Sequence, residues 1–371
     1  MANWDFYNTL QKGEDKGVLS PAEIFFLLSS AKPEEEELLF RTADRVRARY
    51  VGEDVHLRGI IEFSNICIQN CLYCGLRRDN IHLPRYRMTP DEILETAERV
   101  QGEGMQTVVL QSGEDPWFTG KRMAEIVSAI KQQTGMAITL SIGERSYDEM
   151  KAWREAGADR YLLKQETASP VLFRHLRPGR ELSQRLARLR WLKDLGYEVG
   201  SGNMVGLPGQ TDEDLADDVF LFKENDYDMV GTGPFIAHPQ SPLAGAANGR
   251  IEKVLRVLAI TRILTRDTNL PATTATGILF SEGRRKALLG GANVIMPDMT
   301  PEKYKQYYDL YPGRSQPGMK LKEARGFILS MERTVGQGTG RRRSCFIQPV
   351  LSVDEATDSS DLVPPDFRAP E

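Results

Sequence analysis

The sequence predicts an α/β fold, a (β/α)8 barrel with an N-terminal helical cap and a C-terminal extension. Three observations predict it. Apolar, strand-like runs alternate eight times with amphipathic stretches of helical length, over about 250 residues, which is the count and span of such a barrel. Helix-to-strand returns carry glycine, as in Glu155-Ala156-Gly157-Ala158-Asp159 and Lys193-Asp194-Leu195-Gly196-Tyr197, the usual C-terminal helix signal. The polar and Gly-rich segments follow the strands rather than precede them. An open, doubly wound sheet would have fewer strands and a Gly-rich turn after the first; no such turn is present.

In chain order, the first fifty residues read as helix. Ser20-Pro21-Ala22-Glu23 has the form of a capping box with proline at the first helical position. A second helix starts near Pro33, with Glu34 to Glu37 in its first turn and Arg45, Arg47 and Arg49 near its other end, an order that suits the helix dipole. The expected strands are Leu57–Phe63, Thr107–Gln111, Ala137–Ser141, Arg160–Lys164, Glu198–Met204, Met229–Pro234, Pro271–Ala275 and Asn293–Met296. The segments just after them include Ser64–Gly75, Ser112–Asp115, Gly143-Glu144, Gln165–Thr167, Gly206–Gly209 and Thr276-Gly277. In a barrel these loops share the C-terminal face, where active sites form. A further helix is expected from Leu321 to about Val335. Gly336–Arg343 reads as a solvated basic loop. The expected organisation is a cap over residues 1–54, a barrel over 55–312, an extension over 313–350 and a flexible tail over 351–371.

Composition narrows the function. With 371 residues, 40% of them hydrophobic, the chain can bury a large core. A net charge of -4 argues against a nucleic-acid partner. No apolar run is long enough to span a membrane, and Met1–Asp5 lacks the features of a secretory signal. Of four cysteines, three crowd together, unlike a secreted disulfide framework. A reducing, cytoplasmic setting is expected.

Those three are Cys67, Cys71 and Cys74, spaced C-x3-C-x2-C on the first post-strand loop. Three thiolates on one short loop can hold three irons of a [4Fe–4S] cluster and leave the fourth open to a small molecule. The plain alternatives are a zinc site completed by His56 or His82, or three uninvolved thiols. Placement on the active face favours catalysis. Thr139 with Ser141, and Arg160 with Lys164, are two apart on expected strands, so each pair shares a face. Buried cations at 160 and 164 would need an anionic or hydrogen-bonding partner, and an internal Asp or Glu would serve Arg160 equally well.

The cysteine loop, with Tyr73 before its last cysteine, together with the barrel, resembles the radical S-adenosylmethionine (SAM) superfamily. Arg85–Pro90, Val109–Pro116, Ala156–Leu163, Met204–Thr211, Met229–Ile236 and Pro271–Ala275 are similar to the HydE family of [FeFe]-hydrogenase maturases. The resemblance runs from about residue 20 to about residue 345. It implies a [4Fe–4S] cluster and SAM as cofactors, and reductive cleavage of SAM to a 5′-deoxyadenosyl radical. It further implies a sulfur-containing organometallic iron precursor as substrate, other hydrogenase maturases as partners, and an electron donor such as a ferredoxin or flavodoxin. The family's SAM site falls on Tyr73, Ser112, Gly113, Glu114, Glu166, Arg185 and Met229, and its substrate site on Thr139, Ser141, Arg160, Lys164, Thr273, Thr274, Tyr308 and Tyr311. Ser112 stands where the family pattern has glycine. Tyr311–Gly318 holds no second cysteine set and Cys345 stands alone, so a single cluster is expected. Methylornithine synthase, biotin synthase or a non-catalytic metal-binding barrel are the alternatives.

Overall fold

The computed structural model describes residues 4–30, 32–314 and 319–342. Its strands are β1 (Asp54–Leu57), β2 (Gly59–Ser64), β3 (Thr107–Ser112), β4 (Ala137–Ser141), β5 (Arg160–Leu162), β6 (Glu198–Ser201), β7 (Met204–Val205), β8 (Met229–Val230), β9 (Gly233–Pro234), β10 (Val294–Ile295) and β11 (Thr334–Val335). Three helices precede them: α1 (Phe6–Lys16), α2 (Pro21–Ser29) and α3 (Pro33–Tyr50). Along the barrel come α4 (Pro90–Gly102), α5 (Gly120–Thr134), α6 (Tyr147–Glu155), α7 (Pro170–Leu176), α8 (Leu182–Asp194), α9 (Asp212–Glu224), α10 (Ile251–Thr265), α11 (Thr274–Leu279) and α12 (Gly283–Leu289). Two more, α13 (Glu302–Lys305) and α14 (Leu321–Leu329), follow the last barrel strand.

Parallel pairing runs β2-β3-β4-β5-β6-β8. The ring then continues through backbone hydrogen bonds. Val230 donates to Asn269, Ala272 to Val294, and His56, Arg58 and Ile60 to Asn293, Ile295 and Pro297. The expected eight-position barrel is therefore present, with an irregular extended segment at its seventh position. Pro271–Ala275 is not a strand, because the Thr273 side chain accepts the Thr276 N–H and starts α11 at Thr274. Four other expected strands also break: the run 57–63 splits at Arg58, 160–164 ends at Leu162, 198–204 is interrupted at Gly202, whose φ is +156°, and 229–234 divides into β8 and β9.

Capping boxes start α2, α4, α6 and α9, through Ser20/Glu23, Thr89/Glu92, Ser146/Glu149 and Thr211/Asp214. The apolar faces of α4, α5 and α6 pack on the outer side of the sheet around Ile93, Val100, Val127, Ile130 and Trp153. The N-terminal helices pack with α3 against α10 and α2 against α9, sharing a second apolar cluster with Val219, Val257 and Ile260.

The C-terminal extension does not leave the barrel. Helix α14 stops at Leu329, short of the expected Val335. Glu332, at φ +57°, turns the chain so that β11 pairs in parallel with β1. Gly336 to Arg342 then crosses the N-terminal end of the barrel. Thr339 O accepts from Thr107 and Arg160, and Gly340 O accepts from Arg58 and Asn269. The basic charge of this run is thus not simply solvated: Arg342 is buried between Asp226 and Asp267. Cys345 and the expected tail 351–371 lie outside the described residues.

Candidate active site

The cysteine loop spans the mouth of the barrel between β2 and Arg85. A stretch of this kind has no ladder to satisfy its backbone, so side chains do so. Arg85 donates to four carbonyls, those of Asn65, Leu76, Arg77 and Asn80. Asp115, fully buried, accepts from Ser64 Oγ at 2.7 Å and from Arg87 Nε at 2.7 Å and Nη2 at 2.8 Å. These anchors were missed in the sequence, although Arg85, Arg87 and Asp115 lie in the quoted similar segments.

Cys67, Cys71 and Cys74 are free and line one cavity with Tyr73, Gln111, Ser112, Gly113, Glu114, Ser141, Lys164, Glu166, Arg177, Arg185 and Tyr308. The N–H groups of Gln69 and Glu114 both point at Cys67 Sγ, at 3.4 Å. Burial pushes the Cys67 thiol up to about 11 and the Cys74 thiol well above its ordinary value. Gly113 is where the loops touch: a Cβ there would collide with Ile66 O and sit 2.8 Å from Cys67 Cβ. Among the described residues no group of His, Cys, Asp and Glu side chains forms a single-ion site. His56 lies at the opposite end of the barrel, against Gly336 and Gly340. The zinc alternative therefore loses that ligand.

The neighbouring carboxylates differ in availability. Glu114 accepts from Gln69 Nε2 and from the Glu144 N–H at 3.0 Å. Glu166 has φ +69°, a left-handed conformation that costs a non-glycine residue energy. It is held by its N–H to Gly202 O and by Met204 N–H to its own carbonyl. Lys164 Nζ lies 3.8 Å from Glu166 Oε2. Arg185 is buried, with Nε on Glu144 Oε1 at 2.7 Å and Nη1 on Lys164 O at 2.7 Å, while Nη2 has no hydrogen-bond partner. Arg177, not singled out in the sequence, shares the cavity with Nε and Nη2 unbonded.

A second cavity continues down the barrel axis, lined by Thr139, Lys164, Glu166, Met229, Thr273, Thr274 and Tyr311, and also by Arg58, Asn269 and Arg314. The two cavities share Tyr73, Gln111, Leu162, Lys164, Glu166 and Leu310, so the cysteine cavity adjoins the barrel interior across these side chains. Arg58 is buried at its floor, bonded to Met229 Sδ and Gly340 O, and burial with nearby Arg160 lowers it to about 9. Arg314 is anchored on Glu62 and Asp298.

Three sequence expectations are corrected in placement. Arg160 lines neither cavity; it is buried near the N-terminal end, with Nε on Glu198 Oε2 at 2.8 Å. Its position at the start of β5 keeps it below the mouth, and Glu198 meets its charge. Ser141 and Tyr308 line the upper cavity with the cysteines instead of the lower one. Met229 lies at the floor beside Arg58, not among the cysteines.

Comparison with known proteins fits this geometry. Residues 61–222 match the radical SAM superfamily. The [FeFe] hydrogenase maturase subunit HydE of Thermotoga maritima is 52% identical over 305 residues, covering 82% of this chain and 87% of that one. This chain belongs to the HydE family of the radical SAM superfamily. A 3-methylornithine synthase of Methanosarcina acetivorans is 31% identical over 75% of this chain and 79% of its own. Among solved structures, methylornithine synthase PylB superposes with a TM-score of 0.77 at 26% identity, covering 89% of this chain and 97% of that one. The maturase HydG of Carboxydothermus hydrogenoformans gives 0.78 at 21%, covering 92% and 81%, a likeness of fold alone. The HydE-family chain is thus a radical SAM enzyme, and among its described residues no helix is long and apolar enough to cross a membrane.

Proposed function

We propose that this HydE-family enzyme cleaves SAM reductively at a [4Fe–4S] cluster and acts on a sulfur-containing organometallic iron precursor during assembly of the [FeFe]-hydrogenase diiron site, in the cytoplasm, alongside other maturases and a ferredoxin- or flavodoxin-like donor. One observation carries the reading: the cysteine cavity adjoins the cavity of the barrel interior, with Tyr73 and Glu166 lining both. The donor set suits a cluster, since three free thiols line a single cavity and two N–H groups already point at one sulfur. When bound, a cluster held by three thiolates supplies an electron and one open iron for SAM.

The chain's own residues do the rest. Cys67, Cys71 and Cys74 would hold the irons. Glu166, fixed by its strained backbone, would accept the SAM ammonium; Glu114 is already engaged by Gln69 and Glu144 and is the weaker candidate. The free Nη2 of Arg185 would meet the SAM carboxylate. Below them Thr139, Lys164, Thr273, Thr274 and Tyr311 would orient the substrate, with Arg58 and Arg314 supplying positive charge for its cyanide or carboxylate groups. Tyr308, Leu310 and Tyr311 line the two cavities, and Gly336–Arg342 crosses the floor. Together they would keep water from a reactive radical.

Anaerobically reconstituted protein, given SAM and dithionite, is expected to release 5′-deoxyadenosine and methionine. Stoichiometric zinc with no cleavage would overturn the reading. The likeness to methylornithine synthase supports a second reading, tested by adding lysine to the same mixture. The maturase reading expects no methylornithine.

A further inference from the structure

Arg177 is the one cation of the upper cavity that the proposed chemistry leaves unused. It ends α7, and a 2.9 Å hydrogen bond from Leu72 N–H to Leu176 O ties the residue before it to the residue after Cys71. Its side chain is 6% exposed, and its Nη1 lies 3.4 Å from Tyr73 Oη. Nη2 is 3.8 Å from both Glu114 and Glu144, too far for a hydrogen bond. Those carboxylates are already committed: Glu114 to Gln69 and the Glu144 N–H, Glu144 to Arg185. Arg180 and Arg188 also approach Glu144, at 3.8 and 4.0 Å. Four guanidiniums thus face two carboxylates, and Arg177 is the one that borders the cysteine loop with two buried, unbonded donors.

We infer that Arg177 sets the reduction potential of the cluster, through a buried charge with unbonded donors beside the Cys71 end of the loop. This rests on the cluster reading of the three cysteines. Reduction adds negative charge to the site, and a fixed cation in a poorly screened cavity stabilises the reduced form more than the oxidised one. Two buried donors without hydrogen-bond partners cost energy, which an electron-rich cluster would offset.

The test is a redox titration of reconstituted protein without SAM, followed by the electron-spin signal of the reduced cluster. Wild-type protein must first show about four irons per chain and that signal; if it does not, the cluster reading fails and not this one. Arg177→Gln is expected to keep its iron but lower the midpoint enough to cut the reduced fraction about tenfold at a fixed potential, about 59 mV for one electron. Arg177→Lys is expected to restore most of the loss. Arg180→Gln, a third exposed and so better screened, is expected to shift it much less. An unchanged midpoint in Arg177→Gln with weakened SAM binding would make Arg177 a SAM ligand and overturn the inference. An equal shift in Arg180→Gln would overturn it too. If Arg177→Gln fails to hold iron, Arg177→Met takes its place: a midpoint below wild type by more than the Arg180→Gln shift supports the inference, and an unshifted one overturns it.

Discussion

Replacing Cys71 with alanine is expected to take the iron content of reconstituted protein from about four per chain to near background, and to abolish SAM cleavage. The reason is geometric. Cys71 is the most buried of the three thiols, at 8% exposure, and it sits where the loop is pinned to α7 by Leu72 and to its own turn by Cys74 N–H on Cys71 O. No other cysteine in the described chain can replace it. Folding should be spared, because a small buried thiol is exchanged for a smaller apolar group. Circular dichroism and a melting curve check that, alongside colorimetric iron and the visible spectrum. Retention of three or more irons in Cys71→Ala would mean that another group completes the site.

The second large effect is structural. Glu198→Ala should destabilise the fold by about 3–5 kcal/mol, the usual result of stranding one partner of a buried ion pair. Arg160 is 1% exposed and Glu198 8%, so solvent cannot replace the lost partner. Thr107 Oγ1 and Thr339 O would remain as neutral acceptors, and Arg341, which also approaches Glu198 at 3.1 Å, would lose its contact. Replacing both residues together, as Arg160→Met with Glu198→Met, should recover much of the loss, since no buried charge is then left alone. Chemical denaturation measures both. A Glu198→Ala protein as stable as wild type would mean that Arg160 finds its counter-charge elsewhere, as in the substrate role the sequence suggested.

These two sites mark what could be read from the chain alone. The cysteine loop was legible because C-x3-C-x2-C is local: its three ligands are near neighbours in sequence and need no tertiary information. The barrel was legible because alternation and returning glycines are also local signals, and the capping boxes at Ser20 and Thr89 stand plainly in the sequence. Arg160 was misplaced for a reason of height. Alternation gives the face of a strand but not the distance along the barrel axis, and Arg160 opens a strand of only three residues. Its partner is 38 residues away, on the next strand. The floor of the barrel was misread for the same reason. Arg342 meets Asp226 and Asp267 across more than 70 residues, so a basic run that looks solvated is buried. Arg177 carried no local signal beyond its place before Pro178, and only the fold brings it to the cysteines.

As a member of the HydE family, this chain is expected to perform a step of [FeFe]-hydrogenase maturation. The direct measurement is activation of hydrogenase apoprotein, made without any maturase, in a defined anaerobic mixture of the other maturases, SAM, cysteine, iron and reductant. Hydrogen evolution is expected with this chain and not without it, and Cys71→Ala should behave as its omission. Full activation in the absence of this chain, or no activation by a preparation that demonstrably cleaves SAM, would contradict a role in maturation.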